Sequence, residues 1–413
     1  MKKGLILTTI FFTIFLDFFN LGLIYPIFTS LIFEGNGGLI SLESSEFYKN
    51  AIFGVLVASF PFGQFLGAPL IGRLSDQYGR RKLLILSLIG TVATLFTCAL
   101  SVVFSNLYTL LLSRFLGGLM AGNMTLAYAS LADFSSGEEK VKNFALIPFA
   151  IGLGFAGGPY LAGILANPDT HALAGPALPL LFATILALVN LTLVFWKFPE
   201  SASMKQQGIA LKSLILSVER LGKAFQHASL RPCLWILFLM ISSNLVFVQF
   251  VGPFAIDRFG FNVTEVGYLY ANIGIAVALG HLCLTRKLAN RYSPEQVLVW
   301  SLFCLALLII MLLFSYQAVV LHVLTFLVML ACAVAYTNSM ALVSNQASQE
   351  EQGEMMGVAV SIQSSAEFLP ASLLGLIAFI SHALPLLAAA LCASFACFIL
   401  RNLVVKKYIK MVQ

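Results

Sequence analysis

Charge is scarce in this chain. Only 10% of its 413 residues are charged, against 59% that are hydrophobic. A soluble globule of that composition would have no surface to give to water. Cysteine is sparse as well. Cys98, Cys233, Cys283, Cys304, Cys332, Cys392 and Cys397 all fall in apolar segments, with no CxxC spacing. That argues against a disulfide framework and against a metal site, and leaves small buried hydrophobes. The five histidines are scattered, with no HExxH pair. A Walker A lysine loop and a dinucleotide glycine pattern are missing. No polar segment is long enough to form an ATP-hydrolysing domain, and no cofactor is expected.

Long apolar runs fill the space instead. They lie at about 5–30, 48–70, 82–104, 107–131, 142–165, 174–197, 232–256, 265–285, 295–316, 318–342, 355–380 and 383–404. Each is long enough to cross a bilayer as a helix, and the alternation of an outer-membrane barrel is absent. The chain reads as an all-α integral membrane protein with twelve transmembrane helices. Its first run follows Lys2 and Lys3 as a signal peptide would. That run is too long, contains Asp17 and Pro26, and has no small-x-small cleavage site, so it is read as the first span.

The net charge is +6, and its placement explains it without nucleic acid. If the N-terminus is cytoplasmic, every Lys and Arg except Lys49, Arg114 and Arg258 falls in a cytoplasmic segment. The positive-inside rule then puts both termini in the cytoplasm.

The longest hydrophilic segment, 198–231, divides the spans six and six, giving halves at 1–197 and 232–413. Within it Leu211, Leu214, Ile215, Val218, Leu221 and Phe225 follow helical spacing. This is either an amphipathic helix on the membrane surface or a partly ordered linker. The halves read as a degenerate repeat. Leu74–Gly79 answers Leu288–Ser293, Glu138-Glu139 answers Glu350-Glu351, and Pro159 answers Pro370, all at nearly one offset. Two six-helix halves related by a pseudo-two-fold axis along the membrane normal are a transporter architecture, with the substrate near the midplane between them.

Four stretches carry the candidate chemistry. GRLSDQYGRRK, Gly72 to Lys82, joins spans 2 and 3. Gly72 and Gly79 permit a tight turn, and Asp76 is an acid at a helix boundary. Arg80 starts span 3 and Asp133 ends span 4, each at the wrong end for its helix dipole. Either the two pair, or both are solvated charges. SRFLGGLMAG holds Arg114 about seven residues from the outer end of span 4, about 10 Å deep. Such a cation is a functional candidate or a snorkelling side chain. GLGFAGGPYLAG holds Gly154, Gly158, Pro159 and Gly163, a bent helix with a small-residue face. FLDFFNLGLIYP holds Asp17, and Glu367 lies near the middle of span 11. Burial favours the protonated form of a carboxyl, so each can carry a proton or act as a neutral structural acid. Asn20, Gln249 and Gln363 are weaker polar candidates for a cavity wall.

These stretches resemble signatures of the major facilitator superfamily, in its twelve-helix drug:proton antiporter branch, and are similar to tetracycline exporters. The loop 2–3 signature is complete. In span 4 Gly117 replaces the usual Gln, and in span 5 Ala162 replaces one glycine. The resemblance implies that Gly72, Asp76, Gly79, Arg80 and Asp133 form a conformational latch. It also ties Arg114 to proton coupling and associates the span 5 motif with antiport. Spans 3 and 9 lack the membrane acids expected of tetracycline exporters, which makes tetracycline doubtful as cargo.

The expectation is a proton-coupled antiporter, monomeric, in the lipid bilayer of a bacterial inner membrane, exporting a small amphiphilic drug, metallophore or metabolite. Its acids suit a neutral, zwitterionic or cationic substrate, while Arg114 leaves an anion open. The alternatives are a proton symporter importing a nutrient and, in another class, a non-transporting receptor or assembly factor. An enzyme is disfavoured because catalytic residues are not clustered.

Overall fold

The computed structural model describes residues 2–35, 38–41, 43–134, 146–169, 174–200, 230–344 and 352–412. Their regular structure is helical throughout: α1 (Lys2–Thr29), α2 (Glu46–Tyr78), α3 (Arg80–Val103), α4 (Leu107–Leu119), α5 (Asn123–Phe134), α6 (Leu146–Ala166), α7 (Ala177–Lys197), α8 (Arg231–Phe259), α9 (Val263–Leu279), the short α10 (Arg286–Ala289), α11 (Pro294–Leu313), α12 (Ala318–Ser344), α13 (Gln352–Gly375) and α14 (Ala383–Val412). Wider π-helical turns extend α1 through Ser30–Glu34 and join α9 to α10 through Gly280–Thr285. Among the described residues, ten spans are long and apolar enough to cross a membrane. The other two runs of the sequence correspond to the α4–α5 pair and to α13.

Local chemistry sets the helix ends. Ser45 accepts from the Tyr48 amide at the start of α2, and Asn106 from the Thr109 amide at the start of α4. Ser293 and Gln296 form a reciprocal capping box on α11, satisfying two amides that the helix leaves open. The segment 107–131, expected as one helix, is two. At Met120–Gly122 the Ala121 amide turns back to the Gly118 carbonyl at 2.9 Å, and the Gly122 amide to the Met120 carbonyl at 2.8 Å. The three glycines at 117, 118 and 122 leave little side chain to hold a helix there.

The loop 2–3 signature also differs from expectation. Gly72–Tyr78 forms the last turns of α2, and the reversal is concentrated at Gly79, with φ of +98°. A side chain at that φ would be strained, and a Cβ would also meet the Glu200 carboxylate.

Contacts group the chain into two units, Met1–Ile215 with Phe261–Ile275, and Leu216–Gly260 with Ala276–Gln413. In the first, α1 packs along α6, and α2 along α4. Ile10, Ile14, Leu84, Leu88, Leu126 and Ala150 are among the buried residues of its core. In the second, α8 packs along α14, around residues such as Leu237, Met240, Leu302, Ile362 and Ala396. Outward positions stay apolar: Leu86, Phe96, Trp196, Phe303, Leu391 and Phe398 are all exposed. So large an apolar exterior suits a hydrocarbon solvent. The segment 201–229, which holds the candidate amphipathic helix, lies outside the described residues.

Candidate functional site

Asp17 sits on α1 and is approached from α5. The Asn123 amide donates to its Oδ1 at 3.0 Å. Asn123 is the first residue of α5, only 2% exposed, so the break after α4 places it. Its own carbonyl oxygen accepts from the Ser87 hydroxyl at 2.7 Å, and Thr91 lies 3.4 Å from its amide nitrogen. The Ser87 hydroxyl also reaches the Met120 carbonyl, at the helix break. Asp17 is thus held by a chain of neutral groups from α3 and α5. Asn20, one turn on, has a buried carbonyl oxygen with no hydrogen bond.

The glycine-rich face of α6 lies directly against this turn of α1. A Cβ at Gly154 would strike the Phe15 carbonyl, and one at Gly158 the Phe19 carbonyl. On α1, a Cβ at Gly22 would come within 2.8 Å of the Pro159 ring. Gly163, further along, is packed against Thr264 and Gly267 of α9, with 3.1 Å from its would-be Cβ to either Cα. The motif read from sequence as close packing therefore has a specific target, the helical turn that carries Asp17.

Arg114 is buried on α4, 8% exposed. Its guanidinium carbon lies 4.6 Å from the Phe60 ring centre and 5.5 Å from that of Phe28. It makes no ion pair with Asp17; the two are not brought together in this structure.

In the second unit, Glu367 gathers the polar candidates. Gln363 donates to its carboxylate at 3.1 Å, and Gln249 of α8, 2% exposed, donates to its backbone carbonyl at 3.1 Å. The Tyr336 hydroxyl donates to Gln363 at 3.2 Å. The Tyr336 ring stands edge-on to His281, whose Nδ1 is 3.2 Å from the Thr337 hydroxyl.

At the α2–α3 turn, the Arg81 amide donates to the Glu200 carboxylate at 3.2 Å, and the Arg81 guanidinium to the Phe195 carbonyl at 2.6 Å. A carboxylate thus faces the positive end of α3, as the helix dipole favours. The side chains of Asp76 and Asp133 lie outside the described residues, and with them the proposed Arg80–Asp133 pair.

Sequence reasoning missed Asn123, Tyr336, His281 and Glu200. Polar residues inside apolar runs were the available signal for Asn123, directly after Gly122, and for the AYTNS island that holds Tyr336. Asn123→Leu is expected to leave Asp17 and Ser87 each short of a partner. The loss should be about 1–3 kcal/mol of stability, read as a lowered thermal unfolding midpoint in detergent.

The sequence profile of the Major Facilitator Superfamily matches residues 10–371. The chain is 26% identical over 367 residues to the tetracycline resistance protein, class C, of Escherichia coli, covering 88% of this chain and 87% of that one. It is 25% identical over 308 residues to the quinolone resistance protein NorA of Staphylococcus aureus, covering 74% and 73%. Among solved structures, the human organic anion transporter MFSD10 superposes with a TM-score of 0.70 at 23% identity, over 96% of this chain and 99% of that one.

Proposed function

Because the chain belongs to the Major Facilitator Superfamily, we propose that it is a proton-coupled antiporter exporting small amphiphilic organic molecules by alternating access. The family makes it a multi-span membrane transporter and not an enzyme. The likeness to two bacterial drug-resistance proteins over most of their lengths supports export.

One observation carries the proton coupling. Asp17 is an acid deep in a membrane span whose hydrogen-bond partner is a neutral amide, Asn123. A carboxyl without a fixed cation can exist in either protonation state, so it can load and unload a proton as its access to water changes. Arg114 stands on the same unit and would stabilise ionised Asp17 in a conformation that brings them together. Gly72, Asp76, Gly79, Arg80 and Asp133 form the latch at the α2–α3 turn, and Glu200 adds a carboxylate to it. The protein acts as a monomer in a bacterial inner membrane, with both termini cytoplasmic as the positive-inside rule requires.

Tetracycline itself is not the proposed cargo. No acid lies on α3, and on α11 Glu295 in the first turn is the lone acid. The polar cluster of Gln249, Gln363, Tyr336 and Glu367 is the substrate-facing set of the second unit, and Glu367 is a second carboxyl available for a proton. Glu367→Gln is expected to shift apparent affinity or substrate range about tenfold while gradient-driven turnover persists. Concentration-dependent flux through the variant and the wild type checks this. Export is tested in inverted membrane vesicles energised by respiration. Adding a transported compound should discharge part of the pH gradient, and vesicles without the protein should show no such discharge.

A further inference from the structure

Among the described residues Arg114 has no anionic partner. It is more than nine-tenths buried, its Nε has no hydrogen-bond partner, and no ion pair to it occurs among the described residues. The polar neighbours within electrostatic reach of it are the Cys98 thiol and the Tyr25 phenol. Asp17, the deep acid of the same unit, is bonded to Asn123. Phe28 and Phe60 lie close to the guanidinium. Ring contacts attract the cation but leave unanswered its N–H donors, which lie in the guanidinium plane in a fork shaped for a carboxylate.

The surroundings say what else an occupant would meet. Tyr25, two residues beyond Leu23 on α1, stacks on Tyr270 with ring centres 5.0 Å apart and planes 13° from parallel. Phe155 of α6 lies against the same Tyr25 ring at 6.0 Å. Phe28 and Phe60 make the immediate surroundings of the guanidinium aromatic and apolar, and Tyr25 brings its own ring neighbours, Tyr270 and Phe155, to the same side of the unit. Such sites hold a ligand through flat apolar surface and fix its orientation through a few polar groups.

We propose that Arg114 is the anion-receiving group of the substrate site and that the cargo is an aromatic monoanion, its acid group on the guanidinium edge and its ring among Tyr25, Phe28 and Phe60. This deepens the transporter reading and rests on it. It also selects the anionic branch of the substrate classes that the sequence left open. A charge-assisted, two-pronged bond to a carboxylate is the strongest hydrogen-bonded contact available to this side chain, and a lysine would not reproduce its geometry.

The test uses the purified full-length chain and one pair of probes, dansylglycine and its methyl ester, with binding read by dansyl anisotropy. The wild type should bind the acid about tenfold or more tightly than the ester. Arg114→Gln should lower the affinity for the acid to that which the same variant shows for the ester. Arg114→Lys should keep only part of the preference. Equal binding of acid and ester by the wild type, no saturable binding of either, or an undiminished preference in Arg114→Gln would overturn the proposal, the last leaving a snorkelling arginine. If Arg114→Gln does not fold, the wild type answers through phenylglyoxal labelling of Arg114 followed by peptide mass. Protection by the acid and not by the ester supports the site; equal labelling in both overturns it. Arg114-dependent binding without any gradient-driven flux would sink the transport reading alone. Flux of other compounds with no preference for the acid would sink the anion site alone.

Discussion

Asp17→Asn is expected to reduce gradient-driven transport to the level of protein-free liposomes while substrate binding survives. The substitution is nearly isosteric, and the amide can still accept from Asn123 through its carbonyl oxygen, so the α1–α5 contact need not be lost. What disappears is the proton. An asparagine cannot alternate between a neutral and an ionised state, and the energetic link between the proton gradient and conformation goes with it. Parallel measurements of equilibrium binding and gradient-driven flux separate the two roles. Full accumulation by Asp17→Asn would remove Asp17 from the mechanism and move the proton to Glu367 or elsewhere.

Gly158→Leu is expected to abolish the folded protein, and Gly158→Ala to weaken it by about 1–3 kcal/mol. A Cβ at Gly158 would meet the Phe19 carbonyl oxygen and carbon and come within 3.0 Å of the Leu23 amide nitrogen. These are backbone atoms of α1 and cannot rotate away as a side chain can, so α1 and α6 would have to separate along the turn next to Asp17. Size-exclusion profiles and unfolding midpoints of the two variants check this. A monodisperse Gly158→Leu with wild-type stability would mean that α1 and α6 are not held this closely. The glycine face therefore has a packing role that the sequence already implied, and a positional one that it did not, since it fixes the height and rotation of the helix that carries the acid.

Membrane character was legible, and Asp17, Arg114 and Glu367 stood out, because apolar run length and rare charges are properties of single segments. The relations between segments were not. Nothing in the 107–131 run states that the helix breaks at Met120–Gly122, because glycines are also common in continuous membrane helices. Without that break Asn123 would not start a new helix beside Asp17. Glu200 was invisible for another reason. Its partner, the Arg81 amide, is a backbone group more than a hundred residues away in the chain, and backbone donors leave no trace in a sequence. Gln249 and Gln363 were found because amides inside apolar runs stand out. That both would bond to the same residue, Glu367, was not readable from their spacing.

The central claim is that flux through this protein is driven by protons through Asp17. The direct measurement reconstitutes purified wild type and Asp17→Asn into liposomes of equal protein content and imposes a pH gradient. Movement of a panel of amphiphilic anions, cations and neutral compounds is then followed, with and without a protonophore. The account expects at least one compound to move opposite to the proton flow in the wild type, and that movement to vanish with the protonophore and in Asp17→Asn. Movement in the same direction as the protons, or movement that is indifferent to the gradient or to Asp17, would contradict it.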